Sequence, residues 1–460
     1  MKKVKSKLFK SLALATTIFS IASCSQNLNC AGNYTSTTPY ATESELKNYA
    51  DSGFVNYKIS RVFAESTVQE FSEQDWSGAT VSEFPVVIFS TRTGEPRFYE
   101  FRVIKNGKEI GAVACVANKK EGTPVRYVMP YTLDIDTEVA RAVSTNDCKF
   151  VDISYPSKLV VRNNYTGRAA LAVDDTEISD TDDYEMTVTE ILENADEDFL
   201  KEFGLDNEET VNQLIAEQKE EEQRIAEVWN EIDKAVELEN TVTEEQAAEM
   251  AIEDEEDEVE ARGLSIKTST SKFQLDRWNN VSTWENCGGY CGPNVVSFII
   301  LGLGTDSGYE GIPTDSNDLT AISELYNKVE KYIGSGPKVF DDLDKGLRHF
   351  SKYKIVTDVG HSYWIIKDRM KSKKLPAISL RSSKSLTSSG IQWHYRTVIG
   401  TKTNTTTAKL KIFGRTIFKI SFDDNFYLMH DNGTDGNPKG TFYENYIKLY
   451  HFWSAHVEKK

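Results

Sequence analysis

The sequence predicts an α+β protein, and three observations carry that prediction. Two apolar, alternating runs at 96–104 and 109–116 flank Asn106-Gly107, the pair suited to a type I′ hairpin because both central residues take φ > 0. Further on, Val211, Leu214, Ile215, Ile225, Val228, Trp229, Ile232 and Val236 recur at roughly helical intervals. Lastly, Cys287-Gly288-Gly289-Tyr290-Cys291-Gly292-Pro293 leads into the apolar stretch 295–301, a glycine-bounded helix that alternating strand patterns follow.

The N-terminus comes first. Lys2, Lys3, Lys5, Lys7 and Lys10 form a cationic region ahead of a short apolar one at 11–21, which predicts export. The segment closes on Ile21-Ala22-Ser23-Cys24 and resembles the bacterial lipobox. That resemblance implies a signal peptide over 1–23, acylation of Cys24 and a membrane anchor through the N-terminal lipid, with no spanning helix. Residues 24–53, rich in Ser, Thr and Asn, read as a tether.

A β-rich domain is expected over 54–165, with further strands at Val86–Ser90 and 125–130 around the hairpin. An acidic helical segment and linker follow over 171–262. The chain carries 71 Asp+Glu against 53 Lys+Arg, net −18, yet residues 171–260 alone hold net −31 and the remainder +13. One block so acidic disfavours a nucleic-acid partner. Near its end, Glu253-Asp254-Glu255-Glu256-Asp257-Glu258 buries no apolar area and reads as a solvated linker. Residues 264–460 then return to globular composition, and 263–460 carry net +8.

The chemistry lies in that last part, where all six histidines fall. Pro293 suits a first helical turn, so Cys291 stands at a helix N-terminus, where the dipole and free N–H groups favour a thiolate. Removing Cys24 from six cysteines leaves five, an odd number that points to a free thiol, and Cys287 reads as a packing or disulfide residue. His394 lies in the alternating run 392–399, read as a strand ending at Gly400. The strand 426–430 ends at Asp431-Asn432-Gly433, so Asp431 or Asn432 is placed to orient an imidazole. Between these strands, 409–413 and 417–422 read as an inserted hairpin. His430 reads as a surface or structural residue.

The order of Cys on a helix, His on a strand and Asp or Asn on the next core strand resembles papain-like cysteine peptidases. Cys291-Gly292-Pro293 looks most like the bacteriocin-leader-processing (double-glycine) branch and its stand-alone relatives. Trp364-Ile365-Ile366-Lys367 and the run 374–380 around Pro376 are similar to the helix and strand that precede the catalytic His there. The N-terminal half is weakly similar to streptopain-like proenzymes. The resemblance implies a papain-like catalytic domain in which Cys291 is the nucleophile, His394 the general base and Asp431 the orienting residue, with Asn432 as alternative. It implies peptide or protein substrates and no metal or organic cofactor. One position departs from the pattern: where the family has an oxyanion-donating Gln, Glu285 stands, with Asn286 next to it. Either Asn286 donates instead or activity is weak or absent, since losing one donor costs about 10²–10³ in rate. Two other readings follow, an inactive papain-like surface binding protein and a cell-wall peptide amidase or transpeptidase. The −31 segment beside a +8 domain suggests a zymogen, with the acidic segment lying on the basic catalytic domain and release at Arg262-Gly263.

Overall fold

The computed structural model describes residues 39–460 apart from 72–75, 133–134, 136, 146, 156–157, 165–168, 173–182, 196, 203–204, 253–262, 276–290, 313–318, 335–339, 360–362, 386–390, 414, 431–440 and 448–452. The described elements form an α+β protein around one sheet of sixteen strands.

Two helices precede the first strand. Helix α1 (Glu43–Asp51) starts at a capping box in which Thr42 and Glu45 satisfy each other's backbone N–H groups. Helix α2 (Tyr57–Glu70) is capped by Asn56 and buries Phe63, Ala64 and Val68. Both differ from the sequence reading, which has a tether over α1 and strands from residue 54. The reason is visible in α2, where Ser60, Ser66 and Thr67 take buried positions and dilute the apolar period. Cys115 donates its S–H to the Ser60 backbone carbonyl from the facing strand.

Strands β1 (Thr80–Val81), β2 (Val86–Ser90), β3 (Pro96–Lys105) and β4 (Lys108–Val116) follow, and β3 and β4 form the expected hairpin, with Asn106 at φ 52° and Gly107 at φ 75°. Strand β5 (Val125–Met129), helix α3 (Thr137–Ser144) and strands β6 (Cys148–Ser154), β7 (Lys158–Asn163) and β8 (Ala169–Ala172) extend this part in the order β5-β4-β3-β2-β6-β7-β8. Among the described strands, only β2 and β6 pair in parallel.

The acidic stretch is largely folded. Strand β9 (Asp183–Glu185) and helices α4 (Val188–Asn194) and α5 (Glu197–Glu202) lead into α6 (Glu208–Thr241), and α7 (Glu244–Glu249) follows. The amphipathic pattern read from the sequence is the buried stripe of α6: Val211, Leu214, Ile225, Val228, Trp229 and Ile232 are all buried. Acid runs along the outside while the stripe faces the protein. The run 253–258 lies outside the described residues.

The remaining elements are β10 (Gly263–Gln274), α8 (Cys291–Leu303), α9 (Leu319–Ile333), α10 (Phe340–Phe350), β11 (Tyr353–Val359), α11 (Tyr363–Lys373), β12 (Ala377–Ser385), β13 (Ile391–Ile412), β14 (Arg415–His430), β15 (Thr441–Asn445) and β16 (Trp453–Lys459). Their strand order is β11-β16-β12-β13-β14-β15, and β15 continues onto β5 through Tyr443↔Val128 and Glu444↔Tyr127. One sheet therefore crosses both halves of the chain.

Two strand readings change. Gly400 does not end a strand: β13 runs through it with a register shift between Val398 and Gly400. Glycine is required because a Cβ there would stand 2.8 Å from the Phe273 carbonyl of β10. The predicted inserted hairpin is likewise the far end of β13 and β14 themselves. Polar residues hold this arm through cross-strand pairs, Thr405 Oγ1 donating to Asp423 (2.7 Å) and Thr407 meeting Ser421 (2.8 Å). β10 lines its other edge from Gly263↔Lys411 to Gln274↔Gly400.

A candidate cysteine site at the head of a buried helix

Helix α8 begins at Cys291 and is buried nearly all round, as an apolar helix without a polar face must be. Pro293 occupies its first turn and Gly304 follows its last residue at φ 57°, so both ends match the sequence signals. Cys291 is 9% exposed. Gly292 lets α10 come close: a Cβ there would lie 3.1 Å from Leu343 Cδ2.

Two chains of contact relate α8 to the strands. Phe340, one turn before Leu343 on α10, packs edge-on against Tyr395 with ring centroids 5.4 Å apart. Phe298 stacks flat on His430 at 3.9 Å and 9°. Phe298 lies seven residues after Cys291, so both project from one side of α8, about 10 Å apart along its axis. The middle of α8 therefore packs on the end of β14, and α10 links its head to the beginning of β13. His430 has a structural role, 2% exposed under Phe298.

His394 lies in that part of β13 and is half-buried. Its register partner on β12 is Arg381, while pairing with β14 starts only at Thr397↔His430. Strand alternation turns Tyr395 and Thr397 toward the α8 and α10 layer and gives His394 the opposite phase. Asp431, Asn432, Glu285, Asn286, Cys287 and Cys24 lie outside the described residues.

Behind His394 the sheet is pinned by charge. Arg396, two residues along on the same face, donates to Glu444 Oε2 at 2.9 Å. Arg126 of β5 reaches Oε1 of the same carboxylate at 3.2 Å, and all three side chains are fully buried. Sequence reading missed this triad, since nothing local in 126, 396 and 444 signals their meeting.

The acidic segment meets the rest of the protein at several places, two of which bear on the candidate site. Helix α6 wedges between the halves: Trp229 Nε1 donates to the Gly122 carbonyl (2.8 Å), Lys119 pairs with Asp233 (2.5 Å), and Arg224 reaches the Asp423 carbonyl (3.3 Å). Asp423 pairs with Thr405, so about 35 Å of strand separate this contact from His394. Strand β9 is much nearer, pairing with β12 at Ser383↔Glu185 and Lys384↔Tyr184, two residues beyond Arg381.

Among the described residues, no helix is long and apolar enough to cross a membrane. Compared with known protein families and with curated proteins, the chain matches none.

Proposed function

We propose that this chain is an exported, lipid-anchored cysteine peptidase that hydrolyses peptide bonds in peptides or proteins. Cys291 is the nucleophile, His394 takes its proton, and Asp431 orients the imidazole. The thiolate attacks the carbonyl and a thioester acyl-enzyme forms. As it forms, the C–N bond breaks and the proton on His394 passes to the leaving amine; water, deprotonated by His394, then hydrolyses the thioester, and that proton returns to the departing Cys291 sulfur. The Cys291 N–H and Asn286 receive the oxyanion. The observation that carries the reading is the packing of α8 and α10 against the ends of β13 and β14, Phe298 on His430 and Phe340 on Tyr395, each partner being the chain neighbour of a proposed triad residue.

The zymogen element of the reading rests on β9. A strand of the acidic segment beside the His394 strands supports restraint there, while α6 docks too far along β13 to cover the site. Residues 264–460 alone would expose Glu444 and the β15 edge, so activation is proposed by nicking the intact chain after Arg262.

The test is labelling of the full chain with an epoxysuccinyl thiol-peptidase inhibitor, mapped by peptide mass. Modification of Cys291 alone, lost in His394→Ala together with hydrolysis, is the expected result. Labelling that prefers Cys287, or hydrolysis that survives Cys291→Ala, overturns the assignment. A second reading, an inactive binding scaffold, draws on Glu285; Glu285→Gln gaining hydrolysis that the parent lacks would favour it.

A further inference from the structure

A cavity of about 690 Å³ opens between α6, β14 and the start of α11, far from Cys291. Its floor is aromatic, with Tyr363, Phe422 and Tyr446 buried and Trp364 half exposed at 50%. Its rim is acidic: Glu220, Glu227 and Glu231 from α6 face Asp423 from β14.

Cations already present leave most of that charge unanswered. Arg224, the one basic residue among the described residues of the lining, is held by Glu221 through both Nε and Nη2 at 2.9 Å. Lys367 approaches Trp364, its Nζ 4.6 Å from the ring centroid, while donating to Thr403. Glu231 has Lys234 only at 3.9 Å, and among the described residues neither Glu220 nor Glu227 meets a cation. Carboxylates above aromatic rings attract cationic side chains twice over, by Coulomb attraction and by cation–π contact.

Spacing decides between a small amine and a peptide. Glu220 to Glu231 spans eleven helical steps, about 16 Å, which an extended chain covers in about five residues. Same-face side chains of such a chain recur every 6–7 Å or so, close to the 6 Å from Glu227 to Glu231. From these dimensions and this charge we infer that the groove binds an extended basic peptide segment carrying several Lys or Arg side chains. The inference is independent of the peptidase reading, because binding is read on the Cys291→Ala protein.

The experiment uses the full chain carrying Cys291→Ala and fluorescence anisotropy of a labelled Lys-Ala-Lys-Ala-Lys peptide, with Glu-Ala-Glu-Ala-Glu as control. Saturable binding that weakens with salt is expected, with no binding of the control. Glu220→Gln/Glu227→Gln and, separately, Trp364→Ala each weaken it at least tenfold, with unchanged melting temperature. Neutralising the run 253–258 leaves affinity within twofold. The inference is overturned if only neutralising 253–258 matters, if the acidic peptide binds equally, or if N-acetyl-lysine amide displaces the probe as effectively as unlabelled peptide.

Discussion

Replacing Glu444 with Gln keeps the side-chain volume and removes the charge that two buried guanidiniums share. Arg126 and Arg396 reach this carboxylate at 3.2 and 2.9 Å, and none of the three side chains is exposed. Breaking a buried pair from one side costs about 3–5 kcal/mol, because the remaining charge keeps its desolvation penalty. Two arginines are stranded here, so the upper end applies. Folded domains hold only about 5–15 kcal/mol in total, which makes the change a large fraction. At about 2 °C per kcal/mol, the value for large domains, the melting temperature falls by about 10 °C. Thermal unfolding followed by circular dichroism at neutral pH reads the shift. The triple change Arg126→Met/Glu444→Leu/Arg396→Met should recover most of it, since no buried charge is then left. A Glu444→Gln protein melting within about 1 °C of the parent refutes the reasoning, for the triad would then carry no net desolvation debt.

Asp424 offers a pH test: buried against Thr123 (2.6 Å) and Asn445 (3.2 Å), its carboxyl is pushed up to about 6 by burial. Between pH 3.8 and 6 the folded state keeps a proton that the unfolded state releases. Stability therefore falls as pH rises through that window, by about 3 kcal/mol, and Asp424→Asn raises the melting temperature at pH 8 more than at pH 5. Gly111→Ala should destabilise by about 3 kcal/mol in chemical denaturation, because the new methyl would sit 2.5 Å from the Trp76 ring and 2.6 Å from the Met129 carbonyl. Trp229→Phe deprives the Gly122 carbonyl of its donor, a loss of about 1–3 kcal/mol, and limited proteolysis should then cut α6 faster than in the parent.

What the sequence reveals here is local. Asn106-Gly107 specifies its hairpin because two adjacent residues must share positive φ, and Cys291-Gly292-Pro293 announces α8 because caps and first turns use nearby side chains. The stripe of α6 is legible for the same reason: its period is written in one segment. β10 is not, since its Ser/Thr-rich run becomes a strand only against β13, more than a hundred residues away. Gly400 advertises an unusual backbone without saying whether the strand stops or another strand passes close by. The candidate site is legible as residue types in order, whereas the phase of His394 follows from where β12 and β14 pair, which no local pattern records.

The join between β15 and β5 makes the covalent chain and the folded unit two different things. A protease cutting the acidic run severs the polypeptide, yet the sheet, the Arg126 to Glu444 contact and the reach of Arg224 from α6 to the Asp423 carbonyl still bridge the cut. The nicked protein is then a two-chain heterodimer whose subunits were born at unit stoichiometry and never searched for each other. Its fragments migrate together in native gels and separate only in denaturant. Refolding them from dilute solution is bimolecular, so a protein that folds once as a single chain would reassemble slowly, or not at all, after processing.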